Sequence, residues 1–263
     1  MLFSLLLLGC GLLAGMTTIL FGFGGGFAIV PLLYHLYGAS NAAMPTAVAT
    51  SAAVMVFTAS WASYRQARAG NLEWARLRPL LLPMALGAGL GALLAPRLDD
   101  DWLRWAFVIY LLVTIVDCLR RRHFLSLEHS VNTRRLPAPR RSLWSGLLIG
   151  GVSSLLGVGG SVMTVPMMRR AGLPMVKAAA MANPLTLPIA LSATLAYAVQ
   201  IPPASRPGMF QIGLVDVGAG TALALGALLG IQAALPLAAK LADGLHARIY
   251  LALLAAVALS MAL

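Results

Sequence analysis

Gly22-Phe23-Gly24-Gly25-Gly26-Phe27-Ala28-Ile29-Val30-Pro31 recurs later in the chain as Gly157-Val158-Gly159-Gly160-Ser161-Val162-Met163-Thr164-Val165-Pro166, with the glycines, the valine and the proline at identical spacing. Successive glycines release the backbone from helical geometry and remove side chains, so that main-chain N–H groups can face a ligand. The proline follows five residues behind the last motif position. That spacing fits the first turn of a new helix, where a missing N–H costs little. Each copy therefore reads as a break in an apolar run, followed by a helix whose N-terminus points at the break. Other landmarks repeat in the same order: Ala47-Val48-Ala49-Thr50 corresponds to Ala180-Met181-Ala182-Asn183, and the Gly87/Gly91 pair to Gly226/Gly230. Three matched landmarks in one order point to duplication.

Composition places both copies in a membrane. The 263 residues are 60% hydrophobic and only 10% charged, with a mean hydropathy of +0.86; a soluble domain carries about 25% charged residues. Apolar runs fall at 2–37, 42–63, 79–96, 102–119, 143–168, 178–200, 212–239 and 247–263, most of them near the ~20 residues needed to cross a bilayer. They are read as helices, because open strands leave their backbones unsatisfied in lipid. The expected fold class is an all-α polytopic membrane protein of two homologous halves. Residues 1–119 form a first transmembrane repeat, 120–142 a basic cytoplasmic linker, and 143–263 a second repeat.

The net charge of +11 is not spread as a nucleic-acid footprint. Seven arginines (Arg120, Arg121, Arg122, Arg134, Arg135, Arg140 and Arg141) sit in the linker, and most others flank apolar runs, as the positive-inside rule expects. The linker and the loop carrying Arg65, Arg68, Arg76 and Arg78 are therefore placed in the cytoplasm, with Asp99, Asp100 and Asp101 outside. A single crossing by 143–168 would strand Arg169, Arg170 and Lys177 outside. Residues 143–157 cover only about 22 Å as a helix, short of a ~30 Å core, so the run is expected to enter, break and return. Two half-helices plus three spans per repeat make the repeats inverted. Eight plain spans with parallel repeats are the alternative.

Bare amides and the positive end of a helix dipole attract anions. The candidate site is accordingly the pair of breaks, with Gly24, Gly25, Gly26, Gly159, Gly160 and Ser161 supplying main-chain donors. Thr50, Ser51 and Asn183, on the spans that follow, supply side-chain donors, with Thr46 and Thr186 nearby. The competing reading of the glycines is close helix packing, which is the expected role of the Gly87/Gly91 and Gly226/Gly230 pairs. Asn183, with Pro184 and Pro188 beside it, suggests a locally unwound span. Asp117 reads as an interfacial ion-pair partner of nearby arginines, Glu73 and Asp216 as solvated charges at helix starts, and His35 and His246 as residues near loops without a role. Cys10 and Cys118 are far apart in apolar segments and suggest neither a disulfide nor a metal site. The first ten residues faintly resemble a lipoprotein cleavage site but lack a basic start, and are taken as retained.

The paired Gly-x-Gly-Gly-Gly/Ser-x-x-x-Val-Pro elements, each followed by an Ala-x-Ala-Thr-Ser-like stretch, resemble the TauE/SafE family of membrane permeases over nearly the whole chain. That resemblance implies transport of sulfite or a related sulfur-containing anion. Asn183-Pro184 stands where the first half has Thr50-Ser51, a departure from the family pattern. No catalytic residue, metal site, cofactor or nucleic-acid partner is expected. The expected partners are a small anionic substrate and membrane lipids, with a second copy of the chain as the candidate protein partner. Export across the cytoplasmic membrane is the leading expectation, and uptake of another small anion the transport alternative. A membrane enzyme would need a nucleophile with its base, or clustered His, Asp and Glu, and none is visible in the spans; an assembly role would leave both breaks without a use.

Overall fold

The computed structural model describes residues 2–38, 42–120, 124, 139–201, 210–238 and 240–263. The first half comprises α1 (Leu2–Phe21), α2 (Gly26–Tyr37), α3 (Ala43–Arg68), α4 (Trp74–Leu94) with a 3-10 turn at Ala95–Arg97, and α5 (Asp100–Arg120). The second comprises α6 (Pro139–Leu156), α7 (Ser161–Arg170), α8 (Met175–Ala198), α9 (Val217–Ala238) and α10 (Asp243–Ala262). A two-residue ribbon, β1 (Gln211–Ile212) and β2 (Val215–Asp216), leads into α9. Among the described residues seven helices are long and apolar enough to cross a membrane (α1, α3, α4, α5, α8, α9 and α10), while α2 and the apolar part of α6, Leu143–Leu156, are shorter. The protein is an all-α polytopic membrane protein. Its outward surfaces are apolar, with Leu82, Leu90, Ile109, Val113, Leu225 and Leu229 exposed. Exposed Trp102 and Trp105 at the start of α5, Trp74 at the start of α4 and Trp144 at the start of α6 stand where aromatic belts meet lipid headgroups.

The halves interlock. α1 packs along α9 and α6 along α4, so each half's first helix lies on the other's fourth; α3 crosses α8 at the centre and α5 lies on α10. The paired glycines make these contacts. A Cβ built on Gly226 would lie 2.2 Å from the Leu8 carbonyl oxygen and one on Gly230 2.0 Å from that of Leu12; Gly87 meets Leu147 O at 2.1 Å and Gly91 meets Gly151 O at 2.2 Å. No side chain fits there, and backbone packs on backbone. These contacts also fix direction: residue numbers rise together along α1 and α9, and along α4 and α6, so both pairs run parallel.

α5 and α10 run opposite ways. Near the start of α5, Arg104 Nε donates to Met261 O at the end of α10 (2.6 Å). At the other end, Arg169 donates to Phe124 O, just past α5, at 2.9 and 3.1 Å, and pairs with Asp243 at the start of α10 at 2.5 Å. Two faces of the bundle follow. The first gathers the end of α2, whose His35 ring nitrogen lies 2.8 Å from Ser260 O, with the starts of α3 and α5, joined by Met44 N–H to Asp100 Oδ2 at 3.4 Å. The second gathers the ends of α5 and α7 and the starts of α8 and α10, where Met175 N–H donates to Asp243 Oδ1 at 2.7 Å. α9 leaves the first face, since Asp216 beside its start accepts the Tyr37 hydroxyl at the end of α2 (3.1 Å). Running parallel to it, α1 leaves that face too, and α2 returns to it. By the same reasoning α6, parallel to α4, leaves the second face, and α7 returns to it at Arg169. The two hairpins enter the bundle from opposite faces.

Several local expectations are revised. Pro31 and Pro166 lie at the sixth position of α2 and α7, past the first turn, because each helix already starts at the last motif residue. α8 stays helical from Met175 to Ala198 across Pro184 and Pro188, held on both sides by α3 and α4. Asp216 is buried and caps α9 by accepting the Ala219 N–H at 3.0 Å. Asp117 pairs with Arg170, brought over from α7.

Candidate functional site

Both glycine motifs break the helix up to their last residue, which opens the next one, and they match residue for residue. Gly22, Gly24 and Gly25 have φ of 75°, 65° and 88°, and Gly157, Gly159 and Gly160 have 71°, 70° and 72°. An L side chain is strained in this left-handed region, which is why the break needs glycine at these three positions. α2 is 12 residues long and α7 is 10, which at 1.5 Å per residue reach about 18 Å and about 15 Å inward from opposite faces. Together these lengths equal roughly the ~30 Å hydrocarbon core, so the breaks should meet near its middle. They do meet: a Cβ on Gly26 would lie 2.7 Å from Gly157 O.

The polar groups around the breaks are sorted by type. Four carbonyls are occupied: Thr58 Oγ1 donates to Gly24 O (2.6 Å), Ser51 Oγ to Gly157 O (3.0 Å) and Thr186 Oγ1 to Gly159 O (2.5 Å), while Gly160 O accepts from the N–H groups of Met163 and Thr164. Amides are left over. Neither α2 nor α7 has a side-chain cap at its N-terminus. Among the described residues no hydrogen bond takes the N–H of Gly24, Gly25, Gly26, Gly159, Gly160 or Ser161. The breaks are thus rich in unused donors at the positive ends of two helix dipoles, with the Gly24, Gly157, Gly159 and Gly160 carbonyls neutralised. Residues 22–26 and 157–161 are all buried, so the arrangement is closed from both faces.

Of the side chains expected at the site, the structure brings some and diverts others. Ser51 reaches the second break, but its hydroxyl proton is committed to Gly157 O. Asn183 Nδ2 donates to Thr18 O at 3.4 Å, one turn before the first break, and its Oδ1 has no partner among the described residues. Thr50 sits toward the first face, where its oxygen accepts the Asp216 N–H (3.0 Å), leaving its O–H still to donate. Ser153, whose hydroxyl has no partner among the described residues, faces Gly160 at 3.5 Å from a built Cβ. Thr18 faces Gly25 in the same way at 3.3 Å.

Three residues tie the two breaks together. Met55 Sδ lies against Gly24, Gly26 and Gly159, and Thr186 against Gly24 and Gly159. Tyr250 stacks on Phe23 of the first break (5.0 Å between ring centres) and donates its hydroxyl to Val162 O, beside the second (3.1 Å). Met55 and Tyr250 carry no signal in the sequence, because neither lies in a repeated motif. Ser153 was accessible in principle, since the repeat register aligns it with Thr18.

The geometry describes a sealed polar centre inside an apolar bundle. A probable membrane transporter protein of Haemophilus influenzae is 34% identical over 178 residues, covering 65% of this chain and 64% of that relative. A probable membrane transporter protein of Methanocaldococcus jannaschii is 25% identical over 179 residues, covering 66% of this chain and 65% of the relative. The matches thus span just under two thirds of each relative. No solved structure matches the chain. The sulfite exporter TauE/SafE family matches over residues 7–261, which is almost the whole length and includes both glycine breaks. With a multi-pass helical bundle and this duplicated motif, the chain belongs to the TauE/SafE family.

Proposed function

We propose that the protein is a secondary transporter that carries sulfite or a related small sulfur-containing anion outward across the cytoplasmic membrane, binding it between the two glycine breaks. The observation that carries this reading is the sorting of polar groups at the breaks: carbonyls occupied by Thr58, Ser51 and Thr186, amides of Gly24–Gly26 and Gly159–Ser161 unused. An anion entering a dry site must exchange its hydration shell for donors, and these are donors without a fixed opposite charge that would trap it. Asn183, Ser153 and the Thr50 hydroxyl add neutral donors at the margin.

The two halves are read as inverted repeats in the membrane. The opposed courses of α5 and α10, and hairpins entering from opposite faces, support this arrangement. The second face is assigned to the cytoplasm because, among the described residues, it carries Arg65, Arg68, Arg76, Arg78, Arg169, Arg170, Lys177 and Lys240, against Arg97 and Arg104 on the first. Alternating access is then a rocking of each hairpin against the opposite half. With the interior negative, outward movement of one negative charge is favoured by about 2.3 kcal/mol per 100 mV, so export of an anion can proceed without another energy source. Flux of sulfur oxyanions, sulfonates and carboxylates from proteoliposomes under an imposed potential tests the reading. Sulfur anions should move fastest and accelerate when their own compartment is negative. Selective movement of carboxylates alone would overturn the substrate assignment, and movement of none would overturn the transport of anions.

A further inference from the structure

His246, one turn into α10, is a buried ionisable side chain that the anion site leaves unused. Its ring is fully buried. Nε2 lies 2.6 Å from Leu20 O, and since a carbonyl only accepts, Nε2 carries the hydrogen and Nδ1 holds a lone pair. Nδ1 has no partner among the described residues. Leu20 O, two residues before Gly22, is one of the carbonyls that α1 leaves unsatisfied as it ends at Phe21. The Phe21 ring meets the imidazole edge to face at 5.0 Å and the Phe23 ring at 5.8 Å, so aromatic packing links His246 to the first break. The ionisable groups facing it are Asp243 and Tyr250 on α10 and Arg169 from α7; the last turn of α1 offers none among the described residues. Asp243 already holds Arg169 through both carboxylate oxygens, at 2.9 and 2.5 Å, and accepts the Met175 N–H, so the adjacent guanidinium offsets its charge toward the imidazole.

We propose that His246 is a proton site coupled to the anion site: a proton binds Nδ1 together with the anion, and each favours the other. A cation at this position faces the negative end of the α1 dipole, while Arg169 opposes it. Bound anion at the breaks supplies the compensating negative charge. The coupling is reciprocal by thermodynamic necessity, so proton binding must raise anion affinity by the factor by which the anion raises proton affinity. The inference rests on the anion site proposed above.

Sulfate is the suitable probe, because unlike sulfite it keeps one charge state across the histidine range. In an H35Q/H123Q/H129Q variant, His246 is the single histidine, and its ring-nitrogen NMR signals in lipid nanodiscs report its protonation without touching the site. The ring is expected to take up a proton as the pH falls, with a midpoint that rises when sulfate is added. Wild-type sulfate flux, with equal pH on both sides, is expected to fall about tenfold as the ring loses its proton, and H246Q, whose amide can keep the bond to Leu20 O, to show a flat profile. A ring that stays neutral throughout, or an H246Q carrier that keeps the wild-type pH profile, overturns the proposal. A ring that titrates identically with and without sulfate while sulfate is transported sinks the coupling alone. Failure of every anion to move at any pH sinks the anion site and the coupling together.

Discussion

Replacing Gly25 or Gly160 by alanine separates a binding break from a packing break. Gly25 has φ of 88° and Gly160 of 72°, and holding alanine there costs about 1–2 kcal/mol. The added methyl itself is a tight fit at Gly25, needing only a few tenths of an ångström from Thr18 Oγ1 at 3.3 Å, with Thr58 Oγ1 next at 3.5 Å. At Gly160 the nearest atom, at 2.5 Å, is the terminal Cδ1 of Ile189, which can swing aside. The strain is relieved most cheaply by turning the adjoining peptide, and that turn takes one amide away from the anion. A hydrogen bond to a charged group contributes about 1.5–3 kcal/mol, so affinity should fall about ten- to a hundredfold at either position. Gly70 is the control, with the same φ sign (72°) and nothing within 4 Å of its Cβ. Gly70→Ala should lose similar stability while keeping wild-type affinity. Thermal unfolding in detergent and equilibrium binding of labelled sulfite on the same preparations decide the matter. Wild-type affinity in folded G25A and G160A proteins, alongside the expected stability loss in G70A, would refute the assignment of the break amides to the anion.

Other consequences are as direct. Gly226→Val drives a side chain into Leu8 O, 2.2 Å from the Cβ position, and should lower stability by more than the about 1–3 kcal/mol typical of overpacking, whereas Gly89→Val, with open space around it, should leave the melting temperature nearly unchanged. Thr186→Val strips the donor from buried Gly159 O; an orphaned carbonyl costs about 1–3 kcal/mol, and denaturation midpoints should show a loss of that size together with slowed flux. In a protein with Cys10 and Cys118 replaced by alanine, a cysteine at exposed Lys177 should react with a membrane-impermeant reagent only from the cytoplasm, and one at exposed Asp101 only from outside; labelling of both from one side would remove the inverted arrangement.

The glycine breaks were legible because a repeated run of glycines has few structural uses, and repetition itself fixed which residues correspond. Gly87/Gly91 and Gly226/Gly230 were legible as contacts for the same reason, though their partners on α6 and α1 were not. What the sequence hid depends on long-range packing. Unwinding expected at Asn183-Pro184 does not occur, because neighbouring helices on both sides keep α8 straight enough. Asp216 looked like a solvated charge and is instead buried against Tyr37 and Thr50, residues of the other half. Tyr250 and His246 lie in a helix without any motif, and only the fold places them against Val162 and Leu20. Side chains that hold the site from a distant element leave no local pattern to read.

Selenite shares sulfite's shape and charge and scatters X-rays anomalously, so crystals grown with it locate the anion without assuming its contacts. The account requires one selenium peak between the breaks, within hydrogen-bond reach of the amides of Gly24–Gly26 and Gly159–Ser161. A peak elsewhere in a protein that transports selenite would contradict it.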